Sequence, residues 1–239
     1  MNPKCTVVIM AYNEGNSLAS VVEEIRTELD KSGLSFEILV INDGSTDRTP
    51  EVIADLLERY SEVKAVHHEP NKGLGEVYRT GFREASGQWL TFYPGDGQIP
   101  AEDIHGFLGQ MPQYDLVLGT IPQRPVPLYV KALSYGERLL YRLLIGKMPR
   151  FQGIMMVRTA VLKELSLVSQ GRGWTILMEM ILKVSQSGYR VGHAKTGLRD
   201  RSDGASKVNN LTTIISNLKQ LIALNRSMRR GKVTRNSDS

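Results

Sequence analysis

Five short apolar runs punctuate the first half of the chain: residues 6–10 (TVVIM), 37–41 (EILVI), 64–68 (KAVHH), 89–93 (WLTFY) and 116–119 (LVLG). The first two are β-branched and nearly unbroken. A strand that reads apolar on both faces is covered on both sides, which is the condition of a central parallel strand. The other three repeat the pattern more weakly. Between the runs the period changes to that of a helix. Leu18, Val21, Val22, Ile25 and Leu29 share one face, and so do Val52, Ile53, Leu56 and Leu57. Pro50 suits a first helical turn, where its missing N–H costs nothing. Strand–helix alternation of this kind predicts an α/β domain, Rossmann-like, with a mostly parallel sheet and right-handed crossovers.

After Gly119 the pattern shifts. The stretch TIPQRPVP reads as a loop, and residues 128–147 read as a helix with Lys131, Arg138, Arg142 and Lys147 among its apolar positions. GIMMV (153–157) and YRVGHA (189–194) predict two further strands, with a helix over about 174–187 between them. Leu211, Ile214, Ile215, Leu218, Leu221 and Ile222 mark a late amphipathic helix. The division expected is one α/β domain over 1–208, an amphipathic helix over 209–228 and a basic tail over 229–239. A chain of 239 residues suits one such domain with a full core.

Charge narrows the class of partner. The formal net charge is +5, but the last fourteen residues carry Arg226, Arg229, Arg230, Lys232 and Arg235 against Asp238. That tail holds +4 and leaves about +1 for the body, so no basic groove supports a nucleic-acid-binding function. The tail is either simply solvated or a contact for an anionic membrane surface. A lone cysteine, Cys5, excludes an intrachain disulfide and sits in an apolar run, where burial is expected. The first apolar run is too short for a signal peptide, and no apolar stretch reaches the ~18 residues of a membrane span. The expected location is cytoplasmic, peripheral at the cytoplasmic face of a membrane.

In an open parallel sheet, ligands bind outside the carboxyl ends of the strands. Three polar segments follow strands there: AYNEG (11–15), NDGSTDRT (42–49) and PGDGQIP (94–100). Glu14, Asp43 and Asp96 should therefore collect along one edge. Each alone reads equally as a turn or cap residue; three at three strand ends point to a site. A carboxylate such as Asp96 is a hard oxygen ligand suited to Mg²⁺ or Mn²⁺. A second carboxylate such as Glu14 or Asp43 is an acceptor for a ligand hydroxyl or N–H. His67, His68, His105 and His193 show no metal-ligand spacing and are read as structural.

These segments, with NKGLGEVYRTGFREASGQWLTFYPGDGQ and RSDGASK, resemble the family 2 glycosyltransferases, in particular the polyprenyl-phosphate sugar synthases of the dolichyl-phosphate mannose synthase type. The resemblance runs from about residue 6 to 207 and rests on the order and spacing of four blocks. It implies a GT-A glycosyltransferase fold and an inverting transfer from a nucleotide-sugar donor. It further implies that Ala11, Tyr12, Glu14 and Gly95 belong to the nucleotide site and that Asp43 accepts a hydrogen bond from the base. Asp96 and Gln98 would lie at the metal and diphosphate. Arg201 and Lys207 would close over the diphosphate, and Lys131 and Ser134 would meet an acceptor phosphate. Two positions depart from the pattern. Pro94 stands where the family has the first Asp of Asp-x-Asp-x-Gln, and Gly119-Thr120-Ile121 replaces a Gly-Ser-Arg block, with Arg124 nearby.

The acceptor can also be weighed from residues. A phosphomonoester, with a second pKa of about 6, is anionic near neutral pH and needs no general base. Glu179 is the one acidic residue in the segment where hydroxyl-directed relatives place a catalytic carboxylate pair. This favours a lipid-phosphate acceptor, dolichyl or undecaprenyl, over a hydroxyl. The alternatives are transfer to a hydroxyl of a glycan or small molecule, and a nucleotide-sugar-binding subunit without turnover. Membrane contact would come from the tail, from the cationic 128–147 helix or from a membrane-anchoring partner subunit.

Overall fold

The computed structural model describes residues 3–121, 149 and 151–199. Arg124, Lys131, Ser134, Arg201 and Lys207, the helices expected over 128–147 and 209–228, and the basic tail lie outside the described residues. Seven strands appear: β1 (Cys5–Ala11), β2 (Phe36–Asn42), β3 (Val63–His67), β4 (Trp89–Pro94), β5 (Leu116–Thr120), β6 (Met155–Arg158) and β7 (Val191–Lys195). Among the described residues six helices accompany them: α1 (Leu18–Ser32), α2 (Thr49–Arg59), α3 (Leu74–Glu84), α4 (Ile104–Leu108), α5 (Thr159–Glu164) and α6 (Thr175–Gln186). A 3₁₀ turn over Ala101–Asp103 leads into α4.

The strands form one sheet in the order β3-β2-β1-β4-β6-β5-β7. β1 lies between β2 and β4 and pairs in parallel with both, Ala11 opposite Asn42 and Met10 opposite Pro94. The most continuous apolar runs thus take the most enclosed places. Among the described strands only β6 runs antiparallel, against β4 and β5. Its pairing with β4 spans Trp89 to Thr91, so it ends before Pro94. Gly95 N–H donates to the Met10 carbonyl at 2.9 Å. By strand alternation the nitrogen of Pro94 faces the other side, past the end of the β6 ladder, so the missing N–H leaves no ladder bond unmade.

The core has two faces. Val7, Ile9, Tyr93 and Met156 pack beneath α1, with Leu18, Val22, Ile25 and Leu29 fully enclosed. Val8, Leu90, Phe92 and Met155 pack beneath α3 and α6. Alternate residues of one strand supply both layers, as a doubly covered sheet requires. Gly81 on α3 lies flat against Phe92, where a Cβ would come within 2.5 Å of the ring. The expectation for α2 is off at one position: Leu57 is 41% exposed while Ile53 and Leu56 are buried. Cys5 is sealed at the start of β1, and burial, reinforced by Glu37, pushes its thiol up to about 12.

Candidate active site

The carboxyl ends of β1, β2 and β4 form a shared edge, and the loops that leave them are tied together. Asp43 N–H donates to the Ala11 carbonyl at 2.9 Å. Asn13, in the left-handed region at φ 56°, accepts Thr46 N–H on its side-chain oxygen, and its own N–H reaches Ser45 Oγ. Glu14 N–H donates to Thr49 Oγ1 and Gly15 N–H to Asp47 Oδ2. Gly15 has no room for a side chain, since a Cβ would meet Arg48 Cγ at 2.6 Å. Burial acts to raise the Asp47 carboxyl, but the bonds from Thr49 and Gly15 outweigh it and hold it below its ordinary range. This zipped pair of loops leaves Tyr12 exposed at the edge.

The loop after β4 carries Asp96 and Gln98. Ser17 Oγ donates to the Gly95 carbonyl at 2.7 Å and lies 3.3 Å from Glu14 Oε2, so the first turn of α1 holds Glu14 and Gly95 together. Asp96 Oδ1 accepts Gln98 N–H at 3.1 Å, and Gly97 between them takes φ 72°. Asp96, Gly97 and Gln98 are half-buried, at the rim and not in the core. A single hard carboxylate fits Mg²⁺ or Mn²⁺ of the kind that takes its remaining ligands from substrate phosphates and water. Among the described residues no group of three His, Cys, Asp or Glu forms a complete protein cage. The three acidic groups are thus brought to one edge but not into one cluster.

Asp43 sits differently. It is buried, and Oδ1 accepts from His68 Nδ1–H at 2.8 Å and from Lys72 N–H at 2.9 Å, while Oδ2 accepts Gly73 N–H at 2.8 Å. A carboxylate offers about four acceptor sites, and three are used here. Gly73 begins α3 without a capping side chain of its own. The helix start is closed instead by Asp43 and by the Arg172 carbonyl, which accepts Gly75 N–H at 2.7 Å. Arg172 also donates to the backbone and side-chain oxygens of Asn71. His68 Nε2 lies 2.9 Å from Thr80 Oγ1. His67, its exposed neighbour, instead contacts Asn42 Nδ2.

His68, Thr80, Asn71 and Arg172 therefore hold Asp43 and the start of α3 in place; sequence reasoning reads His68 only as structural and singles out none of the other three. Asp43 lies 25 residues from His68, 37 from Thr80 and 129 from Arg172, and no local pattern joins them. Glu179 is fully buried on α6; its oxygens accept the N–H groups of Val168 and Ser169 and pair with Lys183 at 2.7 Å. It fixes the segment before α6.

Residues 6–166 match the family model described as glycosyl transferase family 2. The chain belongs to that family. It is 29% identical over 214 residues to a dolichol-phosphate mannosyltransferase of Pyrococcus furiosus, covering 85% of this chain and 59% of that protein. It is 24% identical to a dolichol-phosphate mannosyltransferase of Mycosarcoma maydis, over 94% of this chain and 80% of that one. A 31% match to the undecaprenyl-phosphate 4-deoxy-4-formamido-L-arabinose transferase of Edwardsiella ictaluri covers 63% of this chain and 45% of that protein. The chain thus spans about half to four-fifths of these relatives. Among solved structures, glucosyl-3-phosphoglycerate synthase from Mycobacterium tuberculosis, in complex with Mn²⁺, UDP and glucosyl-3-phosphoglycerate, superposes with TM-score 0.65 at 17% identity. That alignment covers 92% of this chain and 80% of that one. The family 2 chain accordingly has a GT-A-type fold.

Proposed function

We propose that this family 2 chain transfers a sugar, with inversion, from a nucleoside-diphosphate sugar to a polyprenyl phosphate at a membrane surface. The observation that carries the choice of acceptor is the state of Glu179. The acidic residue offered by that segment is enclosed, bonded to two backbone N–H groups and paired with Lys183. It is built into the fold and does not serve as a base for a hydroxyl. A phosphate acceptor arrives ionised and does without one. The relatives named as dolichol-phosphate and undecaprenyl-phosphate transferases support the same reading.

On the donor side, Tyr12 and Glu14, with the buried positions Ala11 and Gly95 beside them, would form the nucleoside site, and Asp43, with three of about four acceptor positions used, would accept a base N–H at the fourth. Asp96, with Gln98 beside it, would hold Mg²⁺ or Mn²⁺. The bound cation would neutralise charge developing on the diphosphate leaving group. Lys131, Ser134, Arg201 and Lys207 remain assigned to the two phosphates on the grounds of resemblance. Among the described residues no helix is long and apolar enough to cross a membrane. The basic tail is the proposed contact with an anionic, cytoplasmic-face leaflet, and a membrane-anchoring partner subunit would add to it.

The test is product analysis with radiolabelled GDP- and UDP-sugars and a polyprenyl phosphate. A butanol-extractable, mild-acid-labile product is expected. A water-soluble product would assign a hydroxyl acceptor, and tight nucleotide binding without turnover would assign a binding subunit. Truncation after Asn225 should reduce co-sedimentation with anionic liposomes by weakening a contact worth about 1 kcal/mol per basic residue. Equal sedimentation of the truncated chain would remove the tail from the proposal.

A further inference from the structure

The loop that carries Asp96 is held from two sides, and the second support comes from a hundred residues away. On the strand side the holding groups are Met10 and Ser17. On the far side Arg199 N–H donates to the Gln98 carbonyl at 2.8 Å. The Arg199 guanidinium then spreads over two elements, reaching Glu24 on α1 at 2.7 Å and Glu102 in the 3₁₀ turn at 3.0 Å. Just before it, Gly197 N–H donates to Asp103 Oδ2 at 2.6 Å, and Gly197 packs so closely on Pro100 that a Cβ would meet it at 2.9 Å. Segment 196–199 is thus strapped across the outer side of the Asp96 loop.

We propose that Arg199 is a positioning residue for the donor site, setting the Asp96–Gln98 loop. The inference rests on the reading of that loop as the metal and diphosphate site. Exposed ion pairs contribute little to folding stability, and Arg199, Glu24 and Glu102 are all well exposed. The planar fork supplies geometry instead: two fixed directions on two elements, with the backbone bond to Gln98 as the third. Asp96 is two residues from Gln98, so a shift of the strap moves a ligand whose placement matters to a fraction of an ångström.

The experiment compares Arg199→Ala, Arg199→Lys and Glu102→Gln in the full chain. GDP and UDP are titrated with Mn²⁺ and again in EDTA, and Tm is recorded. Arg199→Ala should weaken nucleotide binding in Mn²⁺ roughly threefold to tenfold and raise the Mn²⁺ half-saturation in step. Binding in EDTA should hold, and Tm should move by about 2 °C or less. Arg199→Lys should recover part of the loss, and Glu102→Gln should show about a twofold loss. Unchanged affinity in Arg199→Ala would overturn the proposal, as would an equal loss in Mn²⁺ and EDTA accompanied by a large fall in Tm. If the intact protein binds neither nucleotide more tightly with Mn²⁺ than without, the donor-site reading itself fails and the positioning role goes with it.

Discussion

Asp43 and Asp96 are the same side chain at the ends of two strands that flank β1, yet they belong to different economies. Asp43 is buried, with three of about four acceptor sites taken by His68, Lys72 and Gly73. Asp96 stands half-buried in a short loop, where it accepts a turn bond from Gln98 N–H. One carboxylate has been absorbed into the architecture that shapes the crevice. The other stands half-buried at the rim. Motif spacing alone ranks them equally; burial and partners separate them.

The separation is tested first at Asp96. Asp96→Ala should lower metal-stimulated transfer by roughly 100-fold or more, the scale of losing a group that stabilises leaving-group charge. Its Tm should stay within about 2 °C of the parent, since the loop is outside the core. Full activity with unchanged metal dependence would put Asp96 outside the chemistry.

Asp43→Ala should do the reverse. It strips partners from His68 and two backbone N–H groups together, so unfolding free energy should drop by about 2–4 kcal/mol. Denaturant titration would measure this. Nucleotide affinity should fall with it, since the α3 entrance loosens. A variant as stable as the parent, with only a turnover defect, would contradict the structural assignment.

A third, smaller effect belongs to the other end of β2. Glu37 is enclosed there, accepting bonds from Thr6, Ser86 N–H and Lys64. Burial acts to raise its carboxyl, but those bonds prevail and the pKa lies below its ordinary value. A lowered folded-state pKa gives stability that is present above the unfolded pKa and lost as pH falls through the folded one. Stability should therefore decline as pH falls below the ordinary carboxyl value of 4.5, and Glu37→Gln should flatten that decline. An identical acid-unfolding profile would show that Glu37 does not contribute. Smaller again, Thr80→Val should cost about 1 kcal/mol through His68 and leave the metal dependence as it was.

Much of the fold was legible because apolar runs and helical spacing are local. All seven strands fall on runs read from the sequence, and α1 buries each of its five expected positions. The antiparallel course of β6 was not legible, since a four-residue apolar strand reads alike in either direction. Leu57 misled because a helix face is wider on paper than the groove that receives it. At the site, the loops ending β1, β2 and β4 were legible from the strand-end rule. The cradle around Asp43 was not: its partners come from β3, α3 and the segment before α6, joined only by the folded chain.

The sealed cysteine has a practical consequence. Cys5 is the chain's one thiol, and at a pKa of about 12 inside the sheet it will not compete for alkylating reagents near neutral pH. A cysteine introduced at Leu57, on the outer surface of α2, or at Leu198, beside the strap, would become a single addressable handle. Fluorophores or spin labels attached there would report movement between α2 and the crevice rim without any background cysteine to remove first.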